Sequence, residues 1–107
     1  MSRRIERNLE ALKALAKANS LVQKAMISSA NKDLVLTLVE CATNIIRGNV
    51  DLTKSQYTRL KRYHQYLRRL VRSKTSDQEK RKILQTGGFI GALLRPLLSV
   101  VLPKLFQ

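Results

Sequence analysis

The chain has 107 residues, which is enough for one domain with a modest core and too few for two. Its 21 Lys and Arg residues outnumber 7 Asp and Glu residues, so the formal net charge is +14. A compact protein with this surplus repels itself, and a polyanionic partner relieves that repulsion. We therefore expect nucleic acid first and an anionic membrane second as partners, against the alternative that the basic faces are merely solvated.

The sequence gives no support for catalysis or for a bound cofactor. Cys41 is the single cysteine, so it cannot form an intramolecular disulfide and is expected to be a small apolar core residue. His64 is the single histidine and is expected to be partly buried and hydrogen-bonded rather than a general base. One Cys and one His cannot make a zinc site, and no phosphate-binding glycine motif is present. The chain is therefore predicted not to be an enzyme, and its metal and cofactor sites are predicted to be none.

The N-terminus reads MSRRIERN and has no apolar signal segment after its basic residues. An intracellular, nuclear setting is the expectation, with the virion as the alternative discussed below. Ser2 is placed to cap a first amphipathic helix, and a short second helix is expected after the turn at Asn19, with Leu21, Val22, Ala25 and Met26 as its packing residues.

A third helix is predicted from Lys32 to Arg47, with Asn31 as its N-cap and Gly48 as its C-terminal stop. It carries little charge and is the expected centre of the core. Its wide apolar stripe comprises Leu34, Val35, Leu38, Cys41, Ala42 and Ile45.

The stretch from Thr53 to Lys74 predicts one long basic helix. Thr53 suits an N-cap, with Leu52 before it as a hydrophobic staple. At helical spacing one face is apolar or aromatic and the other is cationic. Tyr57 and Tyr63 fall on the apolar face and are expected to pack rather than to stack on bases. The apolar face comprises Tyr57, Leu60, Tyr63, His64, Leu67, Leu70 and Val71.

Ser76 is placed to cap a further short helix, DQEKRKILQ, so that eleven basic and two acidic residues lie between Lys54 and Lys82. If about five of the cations neutralise phosphates, affinity for DNA should fall by roughly 500-fold between about 50 and 200 mM salt. No recognition-helix pattern is present, so binding is expected to be nonspecific. The candidate nucleic-acid-binding residues are Lys54, Arg59, Lys61, Arg62, Arg68, Arg69, Arg72, Lys74, Lys80, Arg81 and Lys82.

The composition changes at Gly87 and Gly88, which divides the chain into a basic helical domain, 1–86, and an apolar C-terminal tail helix, 87–107. The tail is too short to span a bilayer, and Pro96 predicts a kink or break in it. It either folds back over the core or lies in a membrane interface. A protein-interaction adaptor that docks through the tail is a third possibility. The candidate membrane-interacting residues are Phe89, Ile90, Leu93, Leu94, Leu97, Leu98, Val101, Leu102, Leu105 and Phe106.

Two long stretches together resemble a small basic protein carried by Maverick or Polinton elements and adintoviruses, the adenovirus-like mobile elements of animals. The stretches are NKDLVLTLVECATNIIRGNVDLTKSQYTRLKRYHQYLRRLV, from Asn31 to Val71, and QTGGFIGALLRPLLSVVLPKL after it. The resemblance implies a virion-associated or element-encoded accessory protein, with capsid proteins or an adenovirus-type cysteine protease as partners.

The resemblance also implies a processing site, because such proteases cut after Gly-Gly or Gly-X-Gly. Gln85, Thr86, Gly87 and Gly88 look like that pattern, with cleavage after Gly88, although Gln departs from the usual Leu, Ile or Met. The same Gly-Gly is also an ordinary helix stop.

These observations predict an all-α fold, a compact bundle of four to five short helices with an apolar C-terminal helical tail. The expected function is non-enzymatic binding or condensation of nucleic acid, as a virion core or element-associated protein. The alternatives are membrane disruption by the segment after Gly88 and protein-interaction adaptor function. DNA or another polyanion is the expected partner.

Overall fold

The computed structural model describes residues 2–101, and the side chains of Val100 and Val101 are outside that description. Within this range the chain is all-α and has no strand. The helices are α1 (Arg3–Arg7), α2 (Leu9–Lys17), α3 (Ser20–Ser29), α4 (Lys32–Ile46), α5 (Lys54–Lys61), α6 (His64–Val71), α7 (Asp77–Leu84) and α8 (Phe89–Val101).

Five helices begin at polar residues whose side-chain oxygens accept a hydrogen bond from a backbone N–H three residues later. At Thr53 the bond comes from the N–H of Gln56 at 3.1 Å, and the Gln56 side chain accepts from the Thr53 N–H at 2.9 Å, which completes a capping box. The predicted helix starts are therefore confirmed. The N-caps are Ser2, Asn19, Asn31, Thr53 and Ser76.

Helices α4 and α8 form the centre of the molecule. Helix α4 packs against α1, α6, α7 and α8, as expected for the third predicted helix, and Gly48 follows it with a φ of +74°. Helix α8 packs against α2, α4 and α5. Helix α8 therefore folds back over the apolar faces of the other helices and belongs to one core with them.

The prediction of one continuous basic helix is wrong. The chain turns at Arg62 and Tyr63 and forms two helices, α5 and α6. The Tyr63 hydroxyl donates a hydrogen bond to the carbonyl of Gly87 at 3.0 Å, and its ring packs edge-on against Phe89 at a centroid distance of 5.5 Å. The turn lets α5 pack on α8 while α6 packs on α4 and α7. A long-range contact thus overrides the local helical pattern.

The first predicted helix is likewise divided, at Asn8, so that residues 2–101 contain eight helices where four to five were expected. The Asn8 amide donates hydrogen bonds to the Arg4 carbonyl at 2.9 Å, to Asp33 at 2.8 Å and to the Thr37 hydroxyl at 2.9 Å. An Asn side chain that bonds to the backbone competes with the regular helix, which accounts for the distortion at this residue.

One further expectation about packing is wrong in part. On α3, Leu21, Val22 and Ala25 are exposed, whereas Met26 packs against the core as expected and Ile27 is completely buried in it. Of the kink or break predicted at Pro96, the break does not occur, because α8 continues through this residue.

The apolar residues proposed to contact a membrane occupy the interior. The side chains of Phe89, Leu93, Leu94 and Leu98 are completely buried, and Ile90 and Leu97 are nearly so. Val101 ends α8, and the candidates Leu102, Leu105 and Phe106 lie outside the described residues. Among residues 2–101, no helix combines the length and the apolar character needed to cross a bilayer.

Candidate nucleic-acid interface

The outer face of α5 carries a shallow groove that we call the cationic groove. It is lined by Lys54, Ser55, Thr58, Arg59 and Arg62, all of them exposed. At about 100° per residue these positions fall on one side of the helix, opposite the buried Leu60. The groove therefore presents three cations and two hydroxyl groups to solvent, and no carboxylate lines it.

A neighbouring hollow between α5 and α8 extends the groove toward Arg95. Arg59 and Ser55 line both depressions, and Arg95 lines the second one together with Gly91 and Pro96. Arg95 is exposed and was not among the predicted binding residues. Its sequence context is apolar, so only the packing of α8 on α5 reveals that this cation joins the basic surface.

A third depression, which we call the apolar hollow, lies between α4, α5 and α6 and has a volume of about 280 Å³. Two exposed cations, Lys61 and Arg68, lie at its edge, and Tyr57 is 59% exposed beside them. Leu52 also lines it, next to Tyr57, as expected of a hydrophobic staple. Its remaining lining residues are Ile45, Ile46, Leu60, His64 and Leu67.

Two expectations about the apolar hollow are wrong. Tyr57 was expected to pack and is largely exposed, and His64 was expected to be partly buried and is exposed. Tyr63 does pack, because it lies at the turn against Phe89. The sequence could not separate the two tyrosines, since both fall on the same side of one predicted helix.

Two of the eleven candidate cations have partners inside the protein. Arg69 forms an ion pair with Glu79. Arg81 pairs with Asp77 at 2.7 Å and donates through its guanidinium to the carbonyls of Ile27 at 2.9 Å and Ala30 at 2.7 Å. Arg81 thus binds the C-terminal end of α3 to α7, and its placement favours a structural role over phosphate binding.

The other predicted binding cations pair with no carboxylate within residues 2–101, and all but the half-buried Lys80 are exposed. Lys82 lines a separate depression with Arg69 and Glu79, so an acidic group accompanies it there. The cations that share a depression free of carboxylates are those of the cationic groove and the apolar hollow. The unpaired set is Lys54, Arg59, Lys61, Arg62, Arg68, Arg72, Lys74, Lys80 and Lys82.

Two of the three arginines of α1 share one carboxylate on α4. Arg7 donates to Asp33 at 2.9 and 3.2 Å, and Arg4 lies 3.4 Å from the same carboxylate. Hydrogen bonds from Arg7 and Asn8 lower the pKa of Asp33 to about 2. The N-terminal positive charge is therefore partly balanced, which leaves α5 as the more strongly electropositive region.

Cys41 is completely buried, as expected, and burial raises the pKa of its thiol to about 12. No group of three or more His, Cys, Asp or Glu residues within 2–101 is arranged to hold a metal ion.

The predicted processing residues Gly87 and Gly88 lie exposed in the turn between α7 and α8. Gly88 has a φ of +80°, and the Phe89 N–H bonds to the Thr86 carbonyl at 3.1 Å across the turn. The segment is thus accessible but tightly turned, and the helix that follows it is part of the core.

Comparison with known proteins gives no relative from which a function could be transferred. No family model, no curated protein sequence and no solved structure matches the chain.

Proposed function

We propose that the chain is a non-enzymatic nucleic-acid-binding protein that holds phosphates on the outer face of α5 with little sequence preference. The observation that carries this proposal is that Lys54, Arg59 and Arg62 share one groove with no carboxylate in it. Each unpaired cation brought near a phosphate releases a condensed counterion, and this release supplies most of nonspecific affinity.

The chemistry of the groove suits a phosphate backbone. Arginine presents a planar fork of N–H donors that matches phosphate oxygens, and the Ser55 hydroxyl adds a neutral donor between the charges. The Thr58 hydroxyl instead donates to the Lys54 carbonyl at 2.9 Å. Arg95 lengthens this surface across the α5–α8 contact. Because base edges are not read by such contacts, the surface fixes position on the nucleic acid without selecting a sequence.

Condensation of DNA by an element-associated or virion core protein would use the same surface. A chain with a formal net charge of +14 neutralises part of the phosphate charge wherever it binds. If the resemblance to mobile-element proteins holds, the proposed nucleic-acid binding serves to package DNA.

The packing of α8 supports membrane disruption by the segment after Gly88 less than the charged surface supports nucleic-acid binding. Burial of each large apolar side chain of α8 contributes roughly 1.5 to 3 kcal/mol, and six of them are fully or almost fully buried, namely Phe89, Ile90, Leu93, Leu94, Leu97 and Leu98. Their exposure would cost on the order of 10 kcal/mol, which is comparable with the whole stability of a typical domain. Lipid would rebury these side chains, but withdrawal of α8 would leave the apolar faces of α2, α4 and α5 without the helix that covers them, so insertion would require the protein to unfold.

The proposal is tested with two triple variants that remove the same charge from different places. We expect Lys54→Gln, Arg59→Gln and Arg62→Gln together to weaken duplex DNA binding by roughly 100-fold at about 0.15 M salt, because three counterion-releasing contacts are lost. The control combines Arg3→Gln, Lys17→Gln and Lys24→Gln, which are exposed cations on α1, α2 and α3. Equal losses in both variants, or no binding by the wild type, would refute the proposal.

A further inference from the structure

Beside the cationic groove, α5 and α6 present the apolar hollow, which has features that phosphate binding alone does not need. Tyr57 is 59% exposed, and Ile46 at the same hollow is 49% exposed. Leaving large apolar side chains in water forgoes the free energy that burying them would give. An exposed aromatic ring between cations is instead the arrangement with which proteins bind single-stranded nucleic acid.

We propose that the apolar hollow accepts an unpaired nucleobase, which stacks on Tyr57 while the flanking phosphates bind Lys61 and Arg68. This inference rests on the proposed function and specifies its ligand as single-stranded nucleic acid. The floor of the hollow is apolar, formed by Ile45, Leu60 and Leu67, and suits the flat face of a base.

The charges of the hollow match a nucleotide rather than a neutral ligand. Lys61 and Arg68 are exposed, pair with no carboxylate within residues 2–101, and lie at the edge of the hollow. No acidic residue lines it. An apolar centre with a cationic edge complements a base that carries phosphates on both sides.

The hollow is at the small end of the range of ligand sites. Its volume of about 280 Å³ lies just below the roughly 300 to 1,000 Å³ of sites for drug-sized ligands. A base in a duplex is stacked and paired on all sides, so it cannot enter without first being unpaired. The hollow therefore discriminates between single and double strands, whereas the cationic groove does not.

The hollow and the groove are adjacent on α5. Lys54 in the groove and Lys61 at the hollow are seven residues apart, which places them within about 20° of each other around the helix axis. A strand whose base occupies the hollow can therefore continue along the groove with its backbone. The two sites form one path for a single strand.

The test uses the full chain and two probes, a short oligothymidylate and a duplex. Stacking of one base is worth about 1 to 3 kcal/mol, so Tyr57→Ala should weaken oligothymidylate binding roughly 5- to 150-fold and leave duplex binding unchanged within about twofold. The control is Leu21→Ala, which removes another exposed apolar side chain on α3 and should alter neither affinity.

A direct readout comes from Tyr57→Trp, because the natural chain contains no Trp. We expect oligothymidylate to quench the fluorescence of this residue, and an abasic strand of equal length to bind more weakly without quenching it. Quenching by a fatty-acid anion but not by oligothymidylate would overturn the inference and assign the hollow to an amphiphile.

The outcomes separate this inference from the proposal on which it rests. If Tyr57→Ala changes neither affinity while duplex binding still weakens with salt, the base site is refuted and phosphate binding by the groove stands. If neither nucleic acid binds the wild type, both are refuted.

Discussion

Helices α5 and α7 have the same length and the same number of cations, but they use them differently. Each has eight residues and three Lys or Arg side chains. Helix α7 also has Asp77 and Glu79, which pair with Arg81 and Arg69, whereas α5 has no acidic residue. A cation that is paired within the protein stabilises the fold, whereas a cation that is exposed and unpaired remains available to bind an external anion. Pairing therefore distinguishes structural from binding cations better than their number.

The largest loss of stability that tests this contrast between α5 and α7 is expected at Arg81. Arg81→Ala removes charge-assisted hydrogen bonds to the Ile27 and Ala30 carbonyls and should lower the free energy of unfolding by about 2 to 3 kcal/mol. Lys82→Ala, an exposed change on the same helix, should lie within about 0.5 kcal/mol of the wild type. Urea denaturation measures both, and similar values would contradict the structural role of Arg81.

A smaller difference between a variant and its control, about 1 kcal/mol, is expected where the α5–α6 turn meets α8. Gly88→Ala places an L-residue at a φ of +80°, at a cost of about 1 to 2 kcal/mol, and its Cβ would meet the Tyr63 hydroxyl at 2.6 Å. Gly48→Ala has the same backbone strain at +74° with nothing within 4 Å. Thermal or urea unfolding should therefore show Gly88→Ala to be the less stable variant by about 1 kcal/mol, the value of a lost hydrogen bond. Equal stabilities would show that Tyr63 does not hold this turn.

The ion pair between Arg7 and Asp33 makes stability depend on pH. The pKa of Asp33 is lowered to about 2 in the folded protein, against about 3.9 in the unfolded chain. The stabilisation by this pair is therefore fully present above about pH 3.9 and is lost as the pH falls through the folded value. Asp33→Asn should flatten the decline of stability between about pH 4 and pH 2. Denaturation curves at several pH values check this, and an unchanged decline would place the acid sensitivity elsewhere.

The smallest effect on stability is expected on α5. Arg59→Gln combined with Arg62→Gln should change the free energy of unfolding by no more than about 0.5 kcal/mol, because neither side chain has a partner within residues 2–101. A loss comparable with that of Arg81→Ala would remove the contrast between α5 and α7.

The sequence predicts what depends on neighbours along the chain. The capping residues Ser2, Asn31, Thr53 and Ser76 and the stop at Gly48 all lie where local hydrogen-bond chemistry places them. The basic residues of α5 are exposed because the helical period separates them from Leu60. These features require no knowledge of the tertiary structure.

The sequence does not predict what depends on contacts between distant segments. The break at Tyr63 follows from its bond to Gly87, and the role of Arg81 follows from the approach of α3. Arg95 joins the basic surface only because α8 packs on α5. The amphipathic pattern of one ideal helix also hides the exposure of Tyr57, since the direction of the chain changes at Tyr63. Each of these is set by tertiary packing, which outweighs local preference.

The salt dependence of duplex binding shows whether the cations of the α5 groove release counterions from nucleic acid. With about five phosphate contacts, the plot of log affinity against log salt should have a slope of roughly −4.5 for the wild type, rising to roughly −1.8 when Lys54, Arg59 and Arg62 are replaced by Gln. The equally charged variant at Arg3, Lys17 and Lys24 should keep the wild-type slope. Identical slopes for the two variants, or a wild-type slope near zero, would contradict the account.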